Sequence, residues 1–383
     1  MSNVVRPTWV EIDLDILEEN VAAIRRHLDE HGARNAGIMA VVKAEGYGHG
    51  MLPVAAAALR SGASCLGVAI VEEAFELRQA GFEEPILVLG WTPPAFYPKA
   101  VEANLELTVF SLGEVKQLAR VARNCGRAVN VHVKVDTGMT RLGVPSNSRG
   151  LAKVVEMAEF PEVRMAGLFT HFAAADEDPV FTRKQARRFF SFRLALRRFG
   201  LDIPYHHLSN SAAILEYPEY AGDLVRPGLI LYGAYPSDRV RRTVVVRPFL
   251  RWKTTISQIK WVPPGTPIGY GMTFVTDRAA RIATLPVGYA DGYPRLLSNQ
   301  GEVLIRGQRY PIVGRVCMDQ VMVMLPEERG DWCSGEEVTL LGSSGDNVIT
   351  VDDLAREAET IPHEIFTQIG SRVPRVLRRF DQE

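Results

Sequence analysis

Between Gly37 and Gly233 short β-rich runs alternate with amphipathic helical windows, and after Arg242 the alternation stops; nothing else in the sequence limits the fold as tightly. The runs at 38–42, 65–68, 86–89, 106–109, 129–135, 164–169, 205–208 and 224–226 predict eight strands. Helical windows at 71–80, 112–125, 151–157 and 183–199 fall between them, and Ile16, Leu17, Val21, Ile24 and Leu28 share one helical face before Gly32. Eight β/α units within about 200 residues suggest a (β/α)8 TIM barrel, an α/β fold, although a doubly wound sheet gives similar local signals. Beyond Arg242, β-branched runs broken by glycine and proline take over at 249–259, 281–286, 302–305, 310–313, 321–324 and 337–341, with one late helix near 351–359. The expected organisation is a barrel over residues 13–243 followed by a mostly β C-terminal domain over 244–383.

At 383 residues the chain is long for one compact globule unless the fold is a large barrel. Its 44 basic and 45 acidic residues nearly cancel, so Arg187-Arg188, Arg197-Arg198 and Arg241-Arg242 read as solvated faces and not as a nucleic-acid footprint. Cys65, Cys125, Cys317 and Cys333 lie far apart without paired spacing, which argues against a disulfide frame or a metal site and for reduced thiols in the cytoplasm. Residues 1–9 carry no apolar signal core, and no apolar stretch approaches the roughly 20 residues of a membrane span.

A barrel builds its site at the carboxyl ends of its strands. The first predicted strand runs into Val41-Val42-Lys43-Ala44-Glu45-Gly46-Tyr47-Gly48-His49-Gly50, which sets one lysine at the end of an apolar run with glycines and a tyrosine behind it. Apolar surroundings disfavour an ammonium ion and leave a nucleophilic amine, while glycines admit a bulky aldehyde close to the backbone. Lys134, Asp136 and Arg141 follow the fifth strand, His171 the sixth, Ser209-Asn210-Ser211 the seventh, and Arg226 and Gly228 the eighth. Taken singly, His171 reads as a core histidine, Arg226 as a structural ion-pair partner and the serines as a helix cap. Their joint placement at one end favours a site.

These segments resemble the alanine racemase family. Lys43 with Tyr47-Gly48-His49-Gly50 matches its cofactor-attachment segment. Val133 to Met139 with Arg141-Leu142-Gly143, His207 to Ser211, Val225 to Gly228, Gly269-Tyr270-Gly271, Val287 to Tyr293 and Cys317-Met318-Asp319 match its other motifs in order, from about Trp9 to Arg375. The resemblance implies an eight-stranded barrel, a β-rich C-terminal domain to which a strand within residues 1–12 is added, and a homodimer whose sites use both chains. It also implies pyridoxal 5'-phosphate as cofactor, a small amino acid as substrate, and D-alanine supply for peptidoglycan.

By the same resemblance Lys43 holds the cofactor aldehyde as a Schiff base and then serves one face of the α-carbon, with the partner's Tyr270 serving the other. Two bases allow inversion, whereas a single base tends to return the hydrogen to the side it left. A phenol ordinarily titrates near pH 10, so a tyrosine used as a base needs neighbours that stabilise its anion. His171 matches the residue that bonds this tyrosine and links it to Arg226, which faces the pyridine nitrogen. A guanidinium there donates a hydrogen bond but hardly gives up its proton, which keeps the ring neutral and limits transamination. Ser211, Gly228 and Leu229 match phosphate contacts, Tyr47 adds a hydroxyl, and Asn210 belongs to the same segment. Arg141, Tyr289 and Met318 match the substrate pocket, and Lys134 matches a lysine that is often carbamylated.

Three positions depart from the family pattern. His363-Glu364 replaces Tyr-Glu beside the phosphate and substrate methyl, Glu45-Gly46 replaces Asn-Ala, and Met272 stands where arginine is frequent. The first loosens the pocket wall, so a broader racemase that also turns over serine is an alternative. A pyridoxal-phosphate decarboxylase and a non-catalytic pyridoxal-phosphate protein are the remaining rivals. The former's signature cysteine and glycine-rich phosphate loop are not evident, and the latter is usually a lone barrel.

Overall fold

The computed structural model describes residues 6–326 and 331–380. The parts of the expected segments 1–12 and 244–383 that fall at 1–5, 327–330 and 381–383 lie outside the described residues. The chain forms two compact units: Leu17–Gly46 with Met51–Arg247, and the described residues up to Ile16 with Tyr47–Gly50 and the described residues from Pro248 onward.

After β1 (Thr8–Ile12), which belongs to the second unit, the first unit contains the eight expected parallel strands. They are β2 (Gly37–Val41), β3 (Cys65–Val68), β4 (Ile86–Val88), β5 (Glu106–Val109), β6 (Val129–Asp136), β8 (Val163–Phe169), β9 (Tyr205–His207) and β10 (Leu224–Val225), while the two-residue β7 (Val144–Pro145) only flanks β6. Neighbours pair in chain order, and β10 returns to pair with β2 through Leu224↔Gly37 and Val225↔Ile38. The β9–β10 seam is joined by the Asp223 amide donating to the His206 carbonyl (2.9 Å) and the Arg226 amide to the Ser209 carbonyl (3.0 Å). The result is a nearly closed barrel. Strands such as β3 and β4 are buried at every position because helices cover one side and the barrel interior fills the other, which is why they read as unbroken apolar runs.

The helices follow their caps. Ser111 accepts from the Glu114 amide at the start of Leu112–Asn124, with Glu114 completing the box. The expected windows at 151–157 and 183–199 begin earlier, at Ser148 and Pro179, because Asn147 and Asp178 cap them. Helices at Met51–Arg60, Tyr97–Glu102 and Ser211–Glu216 were not anticipated. In the first of these, Val54, Ala55, Ala57 and Ala58 are all buried, so no clean polar face marks the period.

The second unit is built on a sheet ordered β17 (Gln308–Pro311), β16 (Glu302–Ile305), β19 (Glu337–Ser344), β11 (Leu250–Thr255), β1 and β21 (Arg375–Leu377). β1 runs antiparallel to β11 and parallel to β21. The single run expected at 249–259 is in fact two strands. At Ile256 the backbone amide bonds to Glu336 and at Ser257 to Thr284, so the chain leaves one sheet and continues as β12 (Gln258–Val262) beside β15 (Ala280–Leu285) and β18 (Val321–Leu325). A second late helix, Pro362–Gln368, follows Val351–Glu357, with proline at its first turn. Among the described residues no helix is long and apolar enough to cross a membrane.

Candidate active site

Lys43 does not end the first barrel strand as expected; it lies two residues beyond β2, at the head of a left-handed turn. Ala44, Glu45, Gly46 and Tyr47 have φ of 52°, 56°, 56° and 50°. Only Gly46 adopts this without a Cβ penalty, and each other residue costs about 1–2 kcal/mol. Compensating bonds come from the Gly46 amide to the Val42 carbonyl (2.9 Å), the Met51 amide to Glu45 Oε1 (3.2 Å) and the Ala44 amide to Glu73 Oε1 (2.6 Å). Glu73 uses its other oxygen to accept from the Ala69 and Ile70 amides, so one carboxylate seats both the helix Val71–Gln79 and the lysine turn.

The strand ends gather positive charge. Burial, reinforced by Arg141 and opposed by Glu73, lowers the proton affinity of Lys43. Burial together with Arg226, Arg141 and Lys43 outweighs Asp136 and brings Lys134 down to about 7. Arg226 is pulled down to about 9 by burial and by Arg141, and remains charged at neutral pH. His171 is held well below the usual histidine range, first by burial and then by Arg226, Lys134, Arg141 and Lys43, so it is neutral. An Arg226 Nη2–H donates to His171 Nδ1 at 3.3 Å. Arg141 lowers the proton affinity of Lys43, Lys134 and Arg226 alike, and such a gathering of basic groups calls for an anionic ligand.

Ser211 Oγ accepts from the Gly228 amide (3.0 Å) and the Ile230 amide (3.4 Å), which ties the loops after β9 and β10 together. Leu229 opens a buried 3-10 turn beside them. Asn210 spends its side-chain oxygen on the Ala213 amide (3.0 Å) as the cap of Ser211–Glu216.

In the second unit, Tyr47 is buried with its ring 6.0 Å from that of His363, and burial raises its phenol further above its ordinary value. The Tyr47–Gly50 segment is fitted closely to the helix Pro362–Gln368: a Cβ on Gly48 would stand 2.0 Å from the Phe366 carbonyl oxygen. Tyr270 tips the hairpin joining β13 (Pro267–Ile268) and β14 (Phe274–Val275), flanked by Gly269 and Gly271, both at φ 71°. It is 72% exposed, so it is no core aromatic, and Met272, Tyr289 and Met318 are exposed as well. The Tyr289 amide donates to the Cys317 carbonyl (3.1 Å) and the Ala290 amide to the Met318 carbonyl (3.0 Å), which brings Tyr289 and Met318 side by side. Behind them the fully buried Asp291 is bound by Arg6 and Arg372.

Sequence reasoning missed Glu73, His132 and Glu106, and it quoted His207 within a motif without giving it a role behind Arg226. The inward phase of Val131-His132-Val133 was the available signal for His132, and Glu at the third position of a helix was the signal for Glu73.

Comparison with known proteins places the chain among relatives along its whole length. The family profile described as alanine racemase, N-terminal domain, matches residues 12–236, and that of the alanine racemase C-terminal domain matches 249–377. An alanine racemase of Halothermothrix orenii is 46% identical over 374 residues, covering 97% of both chains. The solved alanine racemase of Clostridium difficile 630 superposes with a TM-score of 0.94 at 38% identity, covering 99% of this chain and 98% of that one. The Bacillus anthracis alanine racemase with bound L-Ala-P gives 0.91 at 39% identity, with coverage of 98% and 95%.

Proposed function

We propose, from the premise that this chain belongs to the alanine racemase family, that Lys43 and Tyr270 move the α-hydrogen of alanine on opposite faces. The protein is a pyridoxal-phosphate-dependent isomerase that interconverts L-alanine and D-alanine. Bound pyridoxal 5'-phosphate supplies the electron sink that makes the α-hydrogen removable. The side chains present fit that group. Ser211, its oxygen already engaged by two amides, keeps its O–H to donate to a phosphate, and the cationic cluster balances the phosphate and a substrate carboxylate. Leu229 adds a backbone amide, Gly228 shapes the turn with its own amide already on Ser211, and by the family resemblance Tyr47 offers a hydroxyl.

The observation that carries the reading is the placement of Lys43 just beyond a barrel strand and close to Arg141 and Lys134, where burial also lowers its proton affinity and favours an amine able to capture an aldehyde and then accept a hydrogen. His171 accepts from Arg226 at Nδ1, so as a neutral ring it bears its hydrogen on Nε2. That N–H is suited to steady a phenolate. Tyr270 stands far out of its own fold, which supports its use by a second copy, and Tyr289 and Met318 belong to the same shared pocket of a homodimer. Arg141 orients the substrate carboxylate, and a Lys134 amine near half-neutral at pH 7 is ready for carbamylation. The product supplies peptidoglycan in the cytoplasm. Incubation with D-alanine should yield L-alanine by chiral analysis and no carbon dioxide; carbon dioxide without L-alanine contradicts the assignment.

Arg226 would donate to the ring nitrogen of the bound cofactor without protonating it. Arg226→Glu should therefore raise pyruvate formation by about tenfold, the change in protonated fraction that one pK unit represents. No rise counts against this role. At the pocket wall, His363 in place of tyrosine favours turnover of L-serine beside L-alanine. His363→Tyr should lower the serine-to-alanine ratio of kcat/KM about tenfold, the low end of what one pocket group discriminates. Serine turnover indistinguishable from zero removes the idea.

A further inference from the structure

Arg226 is a buried cation that no carboxylate among the described residues touches. Only 4% exposed, it donates from Nη1 to His207 Nδ1 (2.8 Å), while the two hydrogens of Nη2 serve the carbonyls of Thr170 (2.7 Å) and Leu208 (2.9 Å), one of them shared with His171 Nδ1 (3.3 Å). All four acceptors are uncharged, and a buried charge without an opposite one is costly. The hydrogen bonds lead to the missing anion. Because His207 accepts at Nδ1, the neutral ring carries its hydrogen on Nε2 and donates it to His132 Nδ1 (2.8 Å). His132 in turn carries its hydrogen on Nε2, 3.0 Å from Glu106 Oε2. Glu106 opens β5, at the ends of the strands opposite to Arg226, and Asn130 Nδ2 holds its other oxygen at 3.3 Å.

The rest of the packing keeps this line fixed. Burial, with Arg226 and His132 next, holds His207 far below the usual histidine range. Burial favours the protonated form of Glu106, but the hydrogen bonds from His132 and Asn130 and the nearby Arg78 outweigh it and hold the carboxyl below its ordinary value. The His207 ring stacks on Phe169 with centroids 4.7 Å apart and planes 4° from parallel. Gly167 makes the room that His132 occupies, since a Cβ there would stand 2.1 Å from His132 Nδ1.

We propose that Glu106 is a positioning residue for racemisation: accepting from His132 at one end while Arg226 donates to His207 at the other, it helps to fix the tautomer of both rings and supplies the remote negative charge that keeps Arg226 aimed. The proposal rests on the reading of Arg226 as the group facing the cofactor ring. Outer hydrogen-bond partners of this kind orient a functional group without touching the reacting atoms.

The test uses holoenzyme labelled with 15N-histidine. In the wild type, His132 and His207 should each appear as a single neutral tautomer protonated at Nε2. Glu106→Leu, which removes acceptor and charge, should give His132 mixed tautomers and lower kcat for racemisation about tenfold or more, as loss of an outer-shell partner does. Glu106→Gln, which keeps an acceptor, should hold the tautomers and lose less activity. Gly167→Ala should disturb the same two rings while leaving both charges in place. Tautomers unchanged in Glu106→Leu and Gly167→Ala overturn the proposal, and so do equal losses in the Leu and Gln variants, which would reduce Glu106 to a packing role. Shifted tautomers with racemisation untouched overturn it too. A failure of the Arg226 reading shows separately, as no extra pyruvate from Arg226→Glu while the tautomers behave as described.

Discussion

Lys43→Ala is expected to lose about 10⁴-fold or more in kcat/KM for alanine racemisation, because one substitution removes both the amine that captures the cofactor and one of the two hydrogen carriers. The loss should not come from unfolding. The turn that follows is held by backbone bonds to Val42 and by the Ala44 amide on Glu73, none of which uses the lysine side chain. Borohydride treatment before denaturation should leave cofactor on the peptide containing residue 43 in the wild type and on no peptide in the variant. Removing this cation should also raise the proton affinity of Lys134, which Lys43 now depresses. Substantial racemisation by the variant, or cofactor bound covalently elsewhere, contradicts the assignment.

Tyr270→Phe should produce the second large effect, about 10²–10⁴-fold in racemisation in both directions, the range typical of a lost general acid–base group. Its signature is asymmetry. With Lys43 still serving one face, one enantiomer should keep exchanging its α-hydrogen with solvent deuterium without inverting, while the other loses exchange. The hairpin itself should survive, because its geometry is set by Gly269 and Gly271 and the phenol is mostly outside its own fold. An unchanged unfolding midpoint is expected. Equal loss of exchange from both enantiomers, or racemisation at the wild-type rate, argues against a separate group on each face.

The barrel was legible because parallel strands covered on both sides leave continuous apolar runs, and each of the eight lies within a residue or two of its expected place. The lysine was legible as a residue close behind an apolar strand, although it lies two residues beyond β2 and not at the strand end. The left-handed turn was not, since nothing local in Ala44-Glu45 favours positive φ; the contact that sustains it comes from Glu73 on a later helix. Strand 249–259 looked continuous because composition does not record a change of pairing partner at Ile256 and Ser257. Asn210 was read with the cofactor contacts, whereas its side-chain oxygen caps a short helix that sequence pattern did not reveal. The line from Arg226 to Glu106 needed β5, β6, β9 and β10 to be brought into one barrel before His132 and His207 could be seen to face each other.

The most direct test follows the first turnover of L-alanine in deuterium oxide and measures α-deuterium in the D-alanine formed. If Lys43 and Tyr270 work from opposite faces, the hydrogen removed and the hydrogen delivered belong to different groups, and the product should be deuterated at the α-carbon from the outset. Product that retains the original protium at that carbon would mean that one group carries the hydrogen from face to face, and the two-group account would be wrong.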